Sequence, residues 1–274
     1  MTLVPIVTEG DRTGAPLREV GGRGLFTKAL QQALLDEAID LAVHSLKDLA
    51  TAPVAGLRLA AVLERGPMAD VLVTGSGEGL GSLPEHARVG TGSPRRAAQL
   101  LWLRPDLEIV GLRGNVGTRL EKLTSDDLDA IVLAEAGLVR LGLGERIGYR
   151  FPLTEMLPAA GQGAIGVECR AADGPVCRLL ERFDHAATRA CVTAERAVLE
   201  RLEAGCLAPV GTAALLLDDH SLHIEAVVLD ERGKRRVAAE VKGSPERSRF
   251  LGELLAVELL DQGAAELIAA SRDR

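Results

Sequence analysis

From Arg88 to Lys122 the chain carries six arginines and one lysine against only Asp106, Glu108 and Glu121. The whole protein has a formal net charge of -7, so this cationic stretch is a local exception. Ser93-Pro94-Arg95-Arg96 opens a predicted helix, Arg113-Gly114-Asn115 follows a predicted strand, and Arg119 sits early in the next helix. Helix starts and strand ends are where α/β folds hold small anions. The helix macrodipole disfavours Arg95 and Arg96 unless an anion joins them. The planar guanidinium suits bidentate recognition of carboxylate or phosphate. A solvated charged face is the competing reading, and the helix-start placement weighs against it.

Lys47-Asp48 is a second candidate. It lies just past residues 39–44, which read as a buried strand, and the carboxyl ends of strands carry ligand chemistry in open α/β sheets. An ordinary surface ion pair is the commoner origin of such a dipeptide. Cys206 is a third. It follows Gly205 in a loop with Leu207-Ala208-Pro209, and a loop thiol is more available for chemistry than a buried one. Cys169, Cys177 and Cys191 read as packing residues. A nucleophilic thiol needs a base; His44 is a formal candidate, but no spacing supports the pair. The four cysteines form no CxxC pair, so reduced thiols and no metal are expected. The sequence has no GxxxxGK[ST], GxGxxG or HExxH, which removes the basis for nucleotide hydrolysis or zinc chemistry.

These residues need elements to hold them. With 274 residues, 47% apolar and 2% aromatic, the chain can fill one large domain or two to three small ones with cores of Leu, Val, Ile and Ala. Strands at 3–7, 39–44, 57–63, 69–74, 107–112, 129–134 and 164–168 alternate with helices from Leu25, Pro94 and Val116. That order predicts largely parallel sheets with helices on both faces. Ser93 is placed to cap its helix, with Pro94 in the first turn. Residues 21–24 read as a flexible glycine loop. Near residue 185 the composition changes. A helix over 187–203, stopped by Gly205, precedes three antiparallel strands at 210–217, 221–229 and 235–241. An amphipathic helix through Leu251, Leu254, Leu255 and Leu259 closes this α+β unit. The acidic, aromatic-poor composition argues against a nucleic-acid partner. No apolar stretch reaches the length of a membrane span. The N-terminus lacks a signal-peptide pattern, so a cytoplasmic location is expected.

Seven stretches in order resemble the porphobilinogen deaminase (hydroxymethylbilane synthase) family. They are VGGRGLFTKALQQALL from Val20, AVHSLKDLAT from Ala42, VGTGSPRRAAQL from Val89, LEIVGLRGNVGTRLEKL from Leu107, DAIVLAEAGLVRLGL from Asp129, LPAAGQGAIGVECR from Leu157 and ERAVLERLEAGCLAPVG from Glu195. The resemblance covers nearly the whole chain. It implies two periplasmic-binding-protein-like α/β lobes plus a C-terminal α+β domain with a small antiparallel sheet. Domain 1 would hold 1–63 and 164–181, domain 2 residues 69–157, and domain 3 residues 186–274.

The implied activity is head-to-tail condensation of four porphobilinogen molecules, with loss of ammonia, to the linear tetrapyrrole hydroxymethylbilane. By the resemblance Cys206 carries a dipyrromethane cofactor as a thioether, and Asp48 is catalytic, protonating the departing amine and steadying the azafulvene cation. Lys47, Ser45, Thr91, Ser93, Arg95, Arg96, Arg113 and Arg119 match cofactor-contact positions, and Arg140 and Arg23 are expected at the substrate. Each pyrrole brings an acetate and a propionate, and fixed cations would offset their repulsion in a low-dielectric cleft. A monomer acting on a small molecule, without nucleic acid or membrane, is expected.

The chain departs from the family pattern in three places. An N-terminal strand and helix with an Arg-x-Ser-x-Leu-Ala-type motif is expected ahead of Leu3, which makes the sequence read as N-terminally truncated or, less in keeping with its intact motifs, as an inactive copy. Glu19 stands where a Lys is common, and Ala69 where Arg is common. The rival classes are a two-lobed receptor for a small polycarboxylate and a thiol hydrolase using Cys206.

Overall fold

The computed structural model describes residues 2–7, 27–75, 77–205 and 208–272. Glu19, the 21–24 loop with Arg23, and Cys206 lie outside the described residues.

The first lobe is a three-stranded sheet in the order β1–β8–β2, formed by β1 (Leu41–Ser45), β2 (Leu57–Val62) and β8 (Ile165–Arg170). Helix α1 (Lys28–Leu35) packs on it through Leu34, which is buried with Ala42 and Leu57. Helix α5 (Gly174–Glu181) lays Cys177 and Leu180 against Ala60, Ala61, Val167 and Cys169.

The second lobe is a five-stranded sheet in the order β5–β4–β6–β3–β7. Its strands are β3 (Asp70–Thr74), β4 (Arg88–Gly90), β5 (Glu108–Val110), β6 (Ala130–Ala134) and β7 (Tyr149–Arg150), with helices α2 (Pro94–Leu103), α3 (Val116–Ser125) and α4 (Glu135–Arg140). Alternate residues of its strands feed two cores. Leu72, Ala130 and Val132 pack with Leu100, Phe151 and Met156 on one face. Val71, Val73, Ile131 and Leu133 pack with Leu123 and Leu138 on the other. Burial on both faces is why β6 and the centre of β3 (Val71–Val73) read as continuous apolar runs.

The chain after residue 185 forms helix α6 (Ala186–Arg201), the antiparallel sheet β9 (Val210–Leu216), β10 (Leu222–Leu229) and β11 (Arg236–Gly243), and helices α7 (Ser248–Asp261) and α8 (Ala264–Arg272). Leu222, Ile224, Ala226 and Val228 point from β10 to Ala194, Val198, Leu255 and Leu259. Each fully buried Leu or Ile contributes about 1.5–3 kcal/mol.

Four expectations are corrected. The sheets are not largely parallel. β1 and β2 both run antiparallel to β8, and β3 runs antiparallel to β6 and β7; β4 is parallel to β5 and β6. Parallel neighbours need a crossover within one sheet, and α2 and α3 supply it only around β4, β5 and β6. Strand β8 is instead contributed by chain returning from the second lobe, and it enters in the opposite sense. Residues 3–7 form no strand, and Leu3 is 85% exposed; an apolar run becomes a strand only where a ladder partner receives it. Helix α6 ends at Arg201 with Leu202 as its C-cap, and the left-handed residue that follows is Glu203 (φ 50°), not Gly205. Helix α8 is a separate element after Gly263 (φ 96°), where the sequence reads as one final helix.

Candidate active site

Strands β4, β5 and β6 are mutually parallel, so their carboxyl ends open on one edge of the second lobe. Each end leads into a helix carrying a predicted arginine, at the helix start after β4 and β5 and at the helix end after β6. After β4, Ser93 caps α2, accepting a hydrogen bond from the Arg96 N–H at 3.5 Å, with Pro94 in the first turn. The Ser93 N–H in turn donates to Thr91 Oγ1 (3.2 Å). After β5, Gly114 adopts φ 115°, where a Cβ would meet Thr118 at under 3 Å. Asn115 then caps α3 through the Thr118 N–H (2.9 Å), and Arg119 folds back so that its Nε donates to Gly114 O (2.7 Å). After β6, α4 ends on Arg140, whose Nη2 donates to Gly163 O (2.7 Å).

The first lobe answers with one turn. Residues Leu46–Asp48 form a single 3-10 turn off the end of β1. The Leu46 N–H donates to Ala164 O (3.0 Å), and the Leu46 side chain is fully buried. That anchoring leaves Lys47 half-buried and Asp48 exposed.

Ser45, Lys47, Arg96, Arg119 and Arg140 line one cavity of about 200 Å³, floored by Gly163 and Ala164 and walled by Val116, Leu133, Ala134, Ala136 and Gly137. Residues far apart in sequence and drawn from both lobes thus converge. Burial, then the neighbouring Arg96, push the Lys47 ammonium down to about 8, with Asp48 and Asp70 opposing. Burial followed by Arg96 likewise lowers Arg119, with Asp48 opposing and Arg113 adding to the strain. A bound carboxylate would offset both the burial and the mutual repulsion of these cations. Arg113 is half-buried beside this group.

Arg95 and Arg96 are only 5% exposed and already share a partner in Asp70. Arg95 Nη1 donates to Asp70 Oδ2 (2.5 Å) and Leu157 O (2.7 Å). Arg96 Nε donates to Asp70 Oδ1 (2.9 Å), and its Nη1 to Val132 O (3.0 Å). Gln162 Nε2 adds a bond to Asp70 Oδ1 (3.0 Å). Burial alone would raise the Asp70 carboxyl, but Arg95 and Arg96 hold it well below the usual carboxylate range. The anion required at the start of α2 is therefore supplied first by the chain itself. One carboxylate against two guanidiniums leaves a net positive charge facing the cavity through Arg96.

Sequence reasoning missed Asp70 and Gln162. The signal was present in Asp70, a lone acid heading the wholly buried strand β3; such a charge must be paired. His44 lies buried in the first lobe with Nε2 3.0 Å from Glu168 Oε2. Cys169, Cys177 and Cys191 are buried, and the Cys169 thiol is pushed up to about 12 by burial and by Cys177.

A second cavity of similar volume lies between α2 and the C-terminal sheet, lined by Gln99, Trp102, Leu153, Glu155 and Arg236 among others. Its one cation, Arg236, stacks over Trp102 at 5.9 Å, so it lacks the convergent charge of the first. Among the described residues no helix is long and apolar enough to cross a membrane.

Fold and cavity together define a two-lobed α/β protein with a cation-lined cleft and an α+β appendage. Comparison with known proteins narrows this. The family model "Porphobilinogen deaminase, dipyromethane cofactor binding domain" matches residues 1–178, and "Porphobilinogen deaminase, C-terminal domain" matches residues 189–261. A porphobilinogen deaminase of Desulforudis audaxviator (strain MP104C) is 50% identical over 268 residues, covering 97% of this chain and 86% of that one. That of Thermobifida fusca (strain YX) is 48% identical over 276 residues, with the same coverage of 97% and 86%. A periplasmic substrate-binding protein of an ABC transporter from Coxiella burnetii is distantly similar over 58% of this chain and 76% of its own, with 15% identity and a TM-score of 0.40. The chain belongs to the porphobilinogen deaminase family.

Proposed function

We infer that this chain is the transferase of tetrapyrrole and heme biosynthesis that joins four porphobilinogen molecules head to tail into hydroxymethylbilane. In each round the aminomethyl carbon loses its amine as ammonia. A carbon–carbon bond to the free position of the growing oligomer's terminal pyrrole replaces the lost bond, and that pyrrole gives up a proton. After the fourth ring, water cleaves the bond to the primer, its hydroxyl going to the product's methylene and its proton to the primer's pyrrole carbon. The observation that carries the reading is the convergence of Lys47, Arg96, Arg119 and Arg140, from both lobes, on one cavity. A growing chain of rings with two carboxylates each fits such a donor set. The dipyrromethane, as a thioether on Cys206, supplies the primer for chain growth.

Asp48 does not line the cavity itself, but it lies close enough to two of the lining cations, Lys47 and Arg119, to stabilise their charge. We assign it proton delivery to the departing amine and stabilisation of the cation left behind, both of which a carboxylate can perform. Ser45, Lys47, Arg96 and Arg119 hold primer carboxylates. Thr91, Ser93, Arg95 and Arg113 support them, and Arg140 with Arg23 takes the incoming ring. We propose the domain limits 1–63 with 164–181, 69–157 and 186–274, and a cytoplasmic monomer. The similarity to deaminases over nearly the whole chain leaves the receptor and hydrolase readings without an observation of their own.

Intact-protein mass spectrometry tests this. The purified chain is expected to carry a mass excess equal to two linked pyrrole units, absent from Cys206→Ser, and to release ammonia from porphobilinogen. A bare polypeptide mass with no ammonia release would overturn the reading.

A further inference from the structure

Helix α6 belongs to the C-terminal unit, yet one of its side chains ends on the first lobe's turn. Arg196 donates from Nη1 to Leu49 O (2.8 Å) and from Nη2 to Ala50 O (2.6 Å). These are the two carbonyls immediately after Asp48. The chain leaves its 3-10 turn there in extended conformation, with Leu49 at ψ 124°, so neither carbonyl continues a helical ladder and each needs a donor. A planar guanidinium can serve both at once. One helical turn earlier, Val192 is buried in a cluster with Leu46 and Leu49. Val192 and Arg196 therefore share a helix face and grip the turn from both sides of Asp48.

We propose that Arg196 is a positioning residue for Asp48: the C-terminal unit, through α6, sets where the reacting carboxylate stands over the cavity. The proposal rests on the assignment of Asp48 above. Its logic is geometric. Asp48 is exposed and its own turn is one residue triplet long, so its placement depends on what fixes both flanks. The upstream flank is tied by the Leu46 N–H to Ala164 O. The downstream flank is tied by Arg196. Burial makes this cation costly, lowering its proton affinity, with Glu168 and Glu200 opposing. Among the described residues it reaches no carboxylate within ion-pair distance. Its hydrogen bonds to the turn are what it gains in return.

The test uses the full chain carrying its covalent primer. Arg196→Gln is expected to keep the primer mass while kcat falls by about 10–100-fold, the range a displacement of about 1 Å produces, with KM for porphobilinogen within about threefold. Arg196→Lys, which retains the charge and one donor, should recover part of the loss. The double variant Asp48→Asn with Arg196→Gln should be no slower than Asp48→Asn alone, because one effect acts through the other. Unchanged kcat in Arg196→Gln, or a double variant losing the product of the two single losses, overturns the proposal. Should Arg196→Gln fail to fold, Arg196→Lys decides alone, and a wild-type rate there overturns it. Near-normal turnover in Asp48→Asn would instead remove the Asp48 assignment and the proposal with it, an outcome told apart because it appears with Arg196 intact.

Discussion

At the scale of single residues, the site is organised by where charge has been compensated and where it has not. Asp70 neutralises one of two buried guanidiniums. Its depressed carboxyl stabilises the fold at every pH above the ordinary carboxylate range and stops doing so only as pH falls through its own lowered value. Lys47 stands at the opposite pole. Its folded value of about 8 is below the ordinary 10.5, so between those limits the unfolded chain binds more protons, and raising pH relieves the cost of burying the charge. For binding the sign reverses, since the protonated form is what attracts a carboxylate. We expect kcat/KM for porphobilinogen, which reports the free enzyme, to fall as pH rises through about 8. Lys47→Arg should carry the plateau to higher pH. An unshifted fall in that variant would show that another group sets the limb.

At the scale of elements, three βα junctions and one strand-end turn present the site, and their glycines set the tolerances. Gly163 has φ 84°, and a Cβ there would lie 2.6 Å from Gly66 O and 2.7 Å from Pro67 O. Gly142 has a similar φ of 70° but nothing within 4 Å. Gly163→Ala should therefore raise KM several-fold by displacing the carbonyl that holds Arg140, and cost about 1–3 kcal/mol from backbone strain. Gly142→Ala should cost strain alone, and equal KM values for the two would refute the argument. Much of this was legible in sequence. The caps at Ser93, the helices at Pro94 and Val116, and the α+β change near 185 follow from local pattern. Strand direction was not, because β8 reaches the first lobe only after the chain has built the second, and no local signal records that return. The pairing of Arg95 and Arg96 with Asp70 was hidden for the same reason: helix-start arginines announce a missing anion, but the partner lies one strand away in space.

At the scale of the whole molecule, Glu195 of α6 ties the parts together. Fully buried, it accepts from Arg65 Nη1 (2.7 Å) and Nη2 (3.0 Å), from the Gly161 N–H (2.7 Å) and from the Ala214 N–H (2.8 Å). One carboxylate thereby joins both segments that pass between the lobes to the C-terminal sheet. Removing its charge strands Arg65 in a dry setting, which costs about 3–5 kcal/mol. Glu195→Gln should show that loss as a lower denaturant midpoint, and a loss below about 1 kcal/mol would mean that the node is not what holds the parts in register.

The two crossing segments also bond to each other, the Leu63 N–H to Ile165 O (3.0 Å) and the Gly66 N–H to Gly163 O (3.1 Å). They form a short ribbon, and a ribbon flexes readily across its width and hardly at all within its plane. Arg140 is fastened to that ribbon at Gly163 although its backbone belongs to the second lobe. Any rocking of one lobe on the other must therefore swing a cation across the cavity or let go of it. Were the lobes to rock, the cleft's aperture and its charge layout would change together, because the same carbonyl serves both.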